Sequence, residues 1–324
     1  MGKGKKKARG KGKIGVKTND NACGGRGGGT VVEPPQEPEQ EEHQGPTPEQ
    51  WERARLAAAN RTNDPLKSWI RPGKEECPIC MIPLPLLQSD SCYLVCCGKT
   101  ICGACDKGQW KVDMEGQRER LCPFCRRTDD FEYNDERRVK QVMKLADAGH
   151  HDALEWIALT YFKGEMGLRQ DKAEGLKWYR RAVEAGNGKA AYSLGYCYWQ
   201  GDGVDKDCDK AMEYFSKAAD HGYVPAFFVM GSILVQKGDI EEGVLNIRKA
   251  AVCGLCDENL FGVLRNGFRD GFITKEEYAV TLRGNQTACN EMKSEAREGW
   301  KTMLSEGTGE GWEKVYLKQK AAMK

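Results

Sequence analysis

Nine of the fifteen cysteines fall within residues 77–125, and six of those nine form three pairs of C-x2-C spacing: Cys77/Cys80, Cys102/Cys105 and Cys122/Cys125. That spacing lets one tight turn aim two sulfurs at a common point, about 2.3 Å from a shared zinc ion. Two pairs are written Cys-Pro-x-Cys, where proline stiffens the turn. Two pairs complete one tetrahedral site, and the third needs two more thiolates from Cys92, Cys96 and Cys97. The N-terminus, Met1-Gly-Lys-Gly-Lys-Lys-Lys, lacks the apolar core of a secretory signal, so a reducing compartment, cytoplasm or nucleus, is expected. There, clustered cysteines hold metal rather than each other. Four thiolates leave no open coordination position, so such ions are structural, each supplying on the order of 10 kcal/mol of folding energy.

The cysteine pattern resembles the RING finger, in which ligand pairs interleave. Carried over, the resemblance implies a first zinc held by Cys77, Cys80, Cys102 and Cys105, and a second held by Cys122, Cys125 and a central pair. Most RINGs place a histidine where this chain reads Cys96-Cys97-Gly98-Lys99-Thr100-Ile101-Cys102, and a protonated Lys99 cannot ligate. In the eight-cysteine variants a cysteine stands five residues before the third pair, as Cys97 does. The expected second site is therefore Cys96, Cys97, Cys122 and Cys125, with Cys92 able to replace Cys96. A treble-clef or double-ribbon zinc fold fits the same spacing.

A RING does no bond chemistry; the resemblance implies a surface that positions a ubiquitin-charged conjugating enzyme. Ile79, Trp110, Pro123 and Arg126 occupy the family's partner-contact positions, with no catalytic residue on this chain. Ile79 and Trp110 serve equally as core of a tiny domain, and Arg126 as a solvated charge.

From residue 137 the pattern becomes helical. Ala158, Gly195 and Gly231 are spaced by 37 and 36 residues, and Gly186, Gly222 and Gly254 by 36 and 32. A period in the thirties with two helices per unit predicts an α-solenoid in which small residues let paired helices approach and aromatics fill between layers. These units closely resemble Sel-1-like repeats, cousins of tetratricopeptide repeats; two copies are good, a third is degraded, and a half-unit over 139–149 caps the front. The resemblance implies a scaffold that recruits protein substrates or adaptors. The C-x2-C pair Cys253/Cys256 has no partner pair and is read as structural. Asp270–Tyr278 mimics half a calcium loop, but Phe268 falls on a ligand position, so the segment is a loop entering a helix over 274–284.

The remainder frames these modules. Residues 1–30 carry nine basic side chains and one acid, and 31–50 carry six glutamates, so 1–46 is expected to be a disordered basic-then-acidic tail. Gly24–Gly29 is a flexible run, not a phosphate loop. The basic stretch 3–13 reads equally as an import signal or a solubilising tail, and a nucleic-acid role rests on it alone. Thr47-Pro48-Glu49-Gln50 starts a helix within 47–64 that stops before Asn63-Asp64-Pro65 and either packs on the next domain or stands as a short free helix. No apolar run spans a bilayer, so no membrane partner and a soluble chain are expected. The expected fold is mainly α: a two-zinc module over 74–128, helical repeats over 137–256, and charged C-terminal helices over 257–324 with a break at 307–311. The expected function is zinc-dependent ubiquitin ligation with substrate recruited on the repeats; the alternative is a non-catalytic zinc-binding adaptor.

Overall fold

The computed structural model describes residues 45–294 except 74, 87–90, 117–120 and 128–134. The basic and acidic tail, Gly24–Gly29 and the break at 307–311 lie outside the described residues, as does the side chain of Trp110.

Helix α1 (Pro48–Asn60) begins as its first residues dictate: Thr47 accepts from the Gln50 amide while the Gln50 side chain accepts from the Thr47 amide, and Pro48 fills the first turn. It ends at Asn60, before Asn63-Asp64-Pro65 as expected, and Asp64-Pro65 starts a separate 3-10 turn, Pro65–Lys67, capped by Asp64. Then come a small hairpin, β1 (Ser91–Leu94) and β2 (Lys99–Cys102), with Cys92 opposite Ile101 and Leu94 opposite Lys99, and helix α2 (Gly103–Glu115).

The rest of the described chain is mainly helical: α3 (Asp135–Asp147), then the pairs α4/α5 (His151–Lys163, Lys172–Glu184), α6/α7 (Gly188–Gln200, Cys208–Asp220) and α8/α9 (Pro225–Lys237, Ile240–Val252), then α10 (Glu258–Arg269) and α11 (Lys275–Glu291). Asp171, Asn187 and Asp207 cap α5, α6 and α7 with side-chain oxygens. Each pair has a close approach at a glycine. A β-carbon on Gly175 would stand 3.0 Å from the Ala158 carbonyl, one on Gly195 3.1 Å from the Ala211 carbonyl, and one on Gly231 2.6 Å from the Gly243 carbonyl. Backbones in near contact admit no larger residue, and that explains the repeating Ala and Gly. Between layers Tyr179, Phe215, Leu194 and Ile247 are buried, each contributing roughly 1.5–3 kcal/mol. The half-unit over 139–149 is the latter part of α3, with Val139, Val142 and Ala146 buried against the first pair. Helix α11 starts at Lys275 behind a Thr274–Glu277 capping box, as expected of a helix entered by a loop, but runs past 284 to Glu291.

One expectation is corrected. Helix α1 does not pack on the cysteine domain that follows it. Ala54 and Trp51 join the core around α8–α11, with Trp51 against Phe272 at 4.8 Å. The segment after α1 then crosses this end of the solenoid as a strap. Arg248, fully buried, donates to Asp64 (2.6 Å) and Glu277 (3.2 Å), Arg61 donates to Glu277 (2.6 Å), and Arg71 to Glu291 (2.9 Å). The strap continues past Gly222, 3.2 Å from the Gly73 carbonyl as measured to a built β-carbon, and reaches the cysteine domain at the front of the repeats. Such burial of charge is tolerated because every one has a partner.

Candidate metal centre

The two Cys-Pro-x-Cys turns share one backbone scheme. The Met81 amide donates to the Cys77 carbonyl (2.8 Å) and the Cys77 amide to the Ile82 carbonyl (3.0 Å); the Arg126 amide donates to Cys122 (3.0 Å) and the Cys122 amide to Arg127 (2.9 Å). The residue after each second cysteine takes a left-handed conformation, Met81 at φ 56° and Arg126 at φ 58°. This curl presents amides to the first sulfur of each turn. Burial works against the Cys77 thiolate, but the amides of Cys102, Cys80 and Ile79 outweigh it and bring the thiol down to about 7. Burial likewise opposes ionisation of Cys122, and the amides of Cys125 and Phe124 overcome it, holding the thiol below its ordinary value.

The eight expected thiols gather into two quartets, Cys77/Cys80/Cys102/Cys105 and Cys96/Cys97/Cys122/Cys125, the sulfurs of each within 4.8 Å of one another. The Cys80–Cys102 separation is 3.9 Å and the Cys97–Cys122 separation 3.7 Å. A tetrahedron built on a 2.3 Å zinc–sulfur bond has an edge of about 3.8 Å, so the spacing suits such an ion. The chemistry agrees with the geometry. Burial, then neighbouring sulfurs, push the Cys96 and Cys105 thiols upward, and burial pushes Cys97 upward too. A central cation lets all four sulfurs of a quartet ionise, and these residues can hold metal ions.

The hairpin decides which central cysteines take part. Cys92 lies mid-strand opposite Ile101 and belongs to the small apolar cluster around it, outside both quartets. Cys96 and Cys97 lie in the turn, made possible by Gly98 at φ 71°, whose amide donates to the Leu94 carbonyl. Lys99, near the position where most RING fingers carry a histidine, lies over the Phe124 ring at 5.0 Å. Of the expected partner-contact residues, Ile79 is 41% exposed, Arg126 is exposed and Pro123 half-buried, while Trp110 is known only by its place on α2.

Contacts that no local pattern announces mount this domain on the repeats. Gln141 of α3 donates to the Cys96 carbonyl (3.3 Å), and Gly98 packs beside Leu145 and His150. Thr100 donates to Asp152 of α4 (3.0 Å), which also accepts from Asn187 (3.1 Å), the cap of α6. Burial opposes the Asp152 charge, yet His151, Thr100 and Lys189 hold its carboxyl below the ordinary range, so it ties hairpin, α4 and α6 together. Elsewhere, among the described residues, Cys253/Cys256 forms no metal-ligating group: Cys253 is buried and Cys256 exposed. The Asp270–Tyr278 segment runs from the C-cap of α10, Asp270, through the N-cap Thr274 into the first turn of α11.

Residues 151–187 and 188–223 match the family described as Sel1 repeat. The boundaries fall on α4/α5 and α6/α7, one helix pair each. Residues 151–223 are Sel1 repeats. It is 34% identical over 100 residues to the ERAD-associated E3 ubiquitin-protein ligase component HRD3B of Arabidopsis thaliana, covering 31% of this chain and 15% of that protein. It is 30% identical to the chitin synthase regulator SKT5 of Saccharomyces cerevisiae, covering 40% of this chain and 21% of that one. The chain therefore spans only a small part of these curated relatives. A crystallised Sel1 repeat protein from Oxalobacter formigenes is 28% identical, covers 40% of this chain and 98% of its own, and has a TM-score of 0.36. No described helix is long and apolar enough to cross a membrane.

Proposed function

We propose that this chain is a zinc-dependent adaptor: a cysteine module closed around two zinc ions, held at the front of Sel1 repeats that dock a protein partner. The observation that carries the reading is the pair of interleaved thiol quartets, fastened to the repeats through Cys96, Gly98 and Thr100. Cys77, Cys80, Cys102 and Cys105 hold one ion and Cys96, Cys97, Cys122 and Cys125 the other. Each zinc would offset half the charge of its four thiolates and act as a cross-link, with no position left for substrate. The repeats supply a rigid extended surface suited to protein recognition. Relatives of these repeats are named as a ligase component and a synthase regulator, which fits an adaptor. Reduced thiols on this scale suit the cytoplasm or nucleus.

A second reading makes the module a RING that docks a ubiquitin-conjugating enzyme, the chain then acting as a ubiquitin ligase without a covalent intermediate. The feature favouring it is an apolar patch at the first turn, Ile79 at 41% and Met81 at 67% exposure, where a partner surface rather than a core is the natural use. Arg126, exposed at the corresponding place in the other turn, and Pro123 belong to the same reading. Metal content and ubiquitin-chain formation with a panel of conjugating enzymes test both. Two zinc ions per chain and no chain formation support the adaptor. Activity lost in Ile79→Ala and in Arg126→Ala, with zinc retained, supports the ligase; activity equal to wild type in both variants removes it. Chain material purified under reducing conditions without chelator and carrying no metal ends both readings.

A further inference from the structure

Outside the quartets two thiols face one another. Cys256, in the junction between α9 and α10, and Cys289, in the last turn of α11, bring their sulfurs to 2.7 Å. A disulfide is about 2.05 Å long, so closing the gap takes roughly 0.7 Å and a small side-chain rotation. The surrounding frame is fixed. The Asn285 side chain donates to the carbonyls of Ala251 (2.8 Å) and Leu255 (3.2 Å), pinning α11 to the end of α9. Gly254 lies so close to α11 that a β-carbon on it would stand 3.0 Å from that of Ala288. Cys256 is exposed and Cys289 half-buried, so a small oxidant has access from the Cys256 side.

We propose that Cys256 and Cys289 form an oxidisable dithiol, a modification site for a low-molecular-weight disulfide such as glutathione disulfide. The Cys256 thiolate attacks one sulfur of the oxidant and releases one glutathione thiolate. Cys289, losing its proton to solvent, then attacks the mixed disulfide at Cys256 and releases the second. Two protein thiols lose two electrons and two protons, and one glutathione disulfide becomes two glutathiones. The bridge joins the α9–α10 junction to the turn of α11 that carries Glu291, the partner of Arg71, which also donates to the Val252 carbonyl. Oxidation thereby locks the anchor of the strap that leads to the cysteine domain.

The test is full-length protein equilibrated in glutathione buffers from reducing to oxidising, alkylated, digested with trypsin without reduction, and mapped by mass spectrometry, with thermal unfolding of the same samples. The expected result is a cross-link between the peptides 250–265 and 284–293 in wild type and in Cys253→Ser, absent in Cys256→Ser and Cys289→Ser. The oxidised wild type should melt about 5–10 °C higher, the bridge closing a loop of some thirty residues, and neither of the last two variants should show that shift. The proposal is overturned if both thiols end separately glutathionylated or alkylated, if the cross-link runs through Cys253, or if the shift persists in the Cys256 and Cys289 variants.

Discussion

Arg248→Ala is the sharpest probe of how the strap is held. The guanidinium is 1% exposed and donates to Asp64, to Glu277, to the Thr281 hydroxyl (3.0 Å) and to the Glu277 carbonyl (3.3 Å). Removing one member of a buried ion pair costs about 3–5 kcal/mol, because the remaining charge stays desolvated. Here both survivors keep some support: Glu277 retains Arg61 and the Thr274 amide, and Asp64 retains the Leu66 amide. The lower end of that range is therefore the expectation, about 3 kcal/mol, which for a repeat domain of this size lowers the melting temperature by about 6–12 °C. Asp64→Ala alone should cost less, since Arg248 keeps Glu277, and the double variant should be less destabilised than the two single losses added together. Calorimetry on the four proteins measures this. A loss under about 2 °C in Arg248→Ala, or strict additivity in the cycle, would refute the claim that the strap is held by a desolvated charge network.

Other outcomes follow from the same geometry. Cys96→Ser should drop bound zinc from two ions per chain to about one while Cys92→Ser keeps both, as read by elemental analysis, because Cys96 belongs to a quartet and Cys92 does not. Gly231→Ala should destabilise by about 1–3 kcal/mol because its β-carbon meets the Gly243 carbonyl at 2.6 Å, whereas Gly262→Ala in α10, with open space around it, should stabilise by about 0.5–1 kcal/mol; paired melts of opposite sign are required. Burial opposes the Glu277 charge, but the Thr274 amide, Arg61 and Arg248 hold its carboxyl below the ordinary carboxylate range. A depressed folded value means that its stabilisation is complete above the ordinary carboxylate range and is lost as pH falls through the depressed one. The stability advantage of wild type over Glu277→Gln should therefore shrink as pH falls through and below the ordinary carboxylate range, and an advantage independent of pH would contradict the ionised assignment.

What could be read from sequence follows the range of the interactions. C-x2-C pairs are local, so a turn of four residues announces its two sulfurs; the repeat period is local to each helix pair, so Ala158, Gly195 and Gly231 mark their close approaches. The choice between Cys92 and Cys96 depends on strand register, which spacing alone leaves open, and the Ser91–Leu94 strand places Cys92 in the small apolar core beside Ile101. The strap was invisible because Arg248 and Asp64 are 184 residues apart and Arg61 and Glu277 are 216 apart. The Cys256–Cys289 approach was hidden likewise: the pair conspicuous in sequence is Cys253/Cys256, but its members point to different environments, one buried and one exposed.

Taken together, the contacts close the chain on itself. Its first helix is seated at the last repeat, the strap runs back along the junctions between helix pairs, and the cysteine domain rests on the first repeat through Thr100–Asp152 and Gln141–Cys96. In a solenoid each unit touches only its neighbours, so stability at one end is ordinarily insulated from the other. Here the strap adds a second path, linking the proposed zinc module at the front to the ion network at the back. Loss of the second ion would loosen the turn that holds Cys96 and Gly98 against α3, and the strap would carry part of that loss to Arg248 and Glu277. The coupling is reciprocal: a partner that tightens the repeats should also strengthen the hold on the second metal ion.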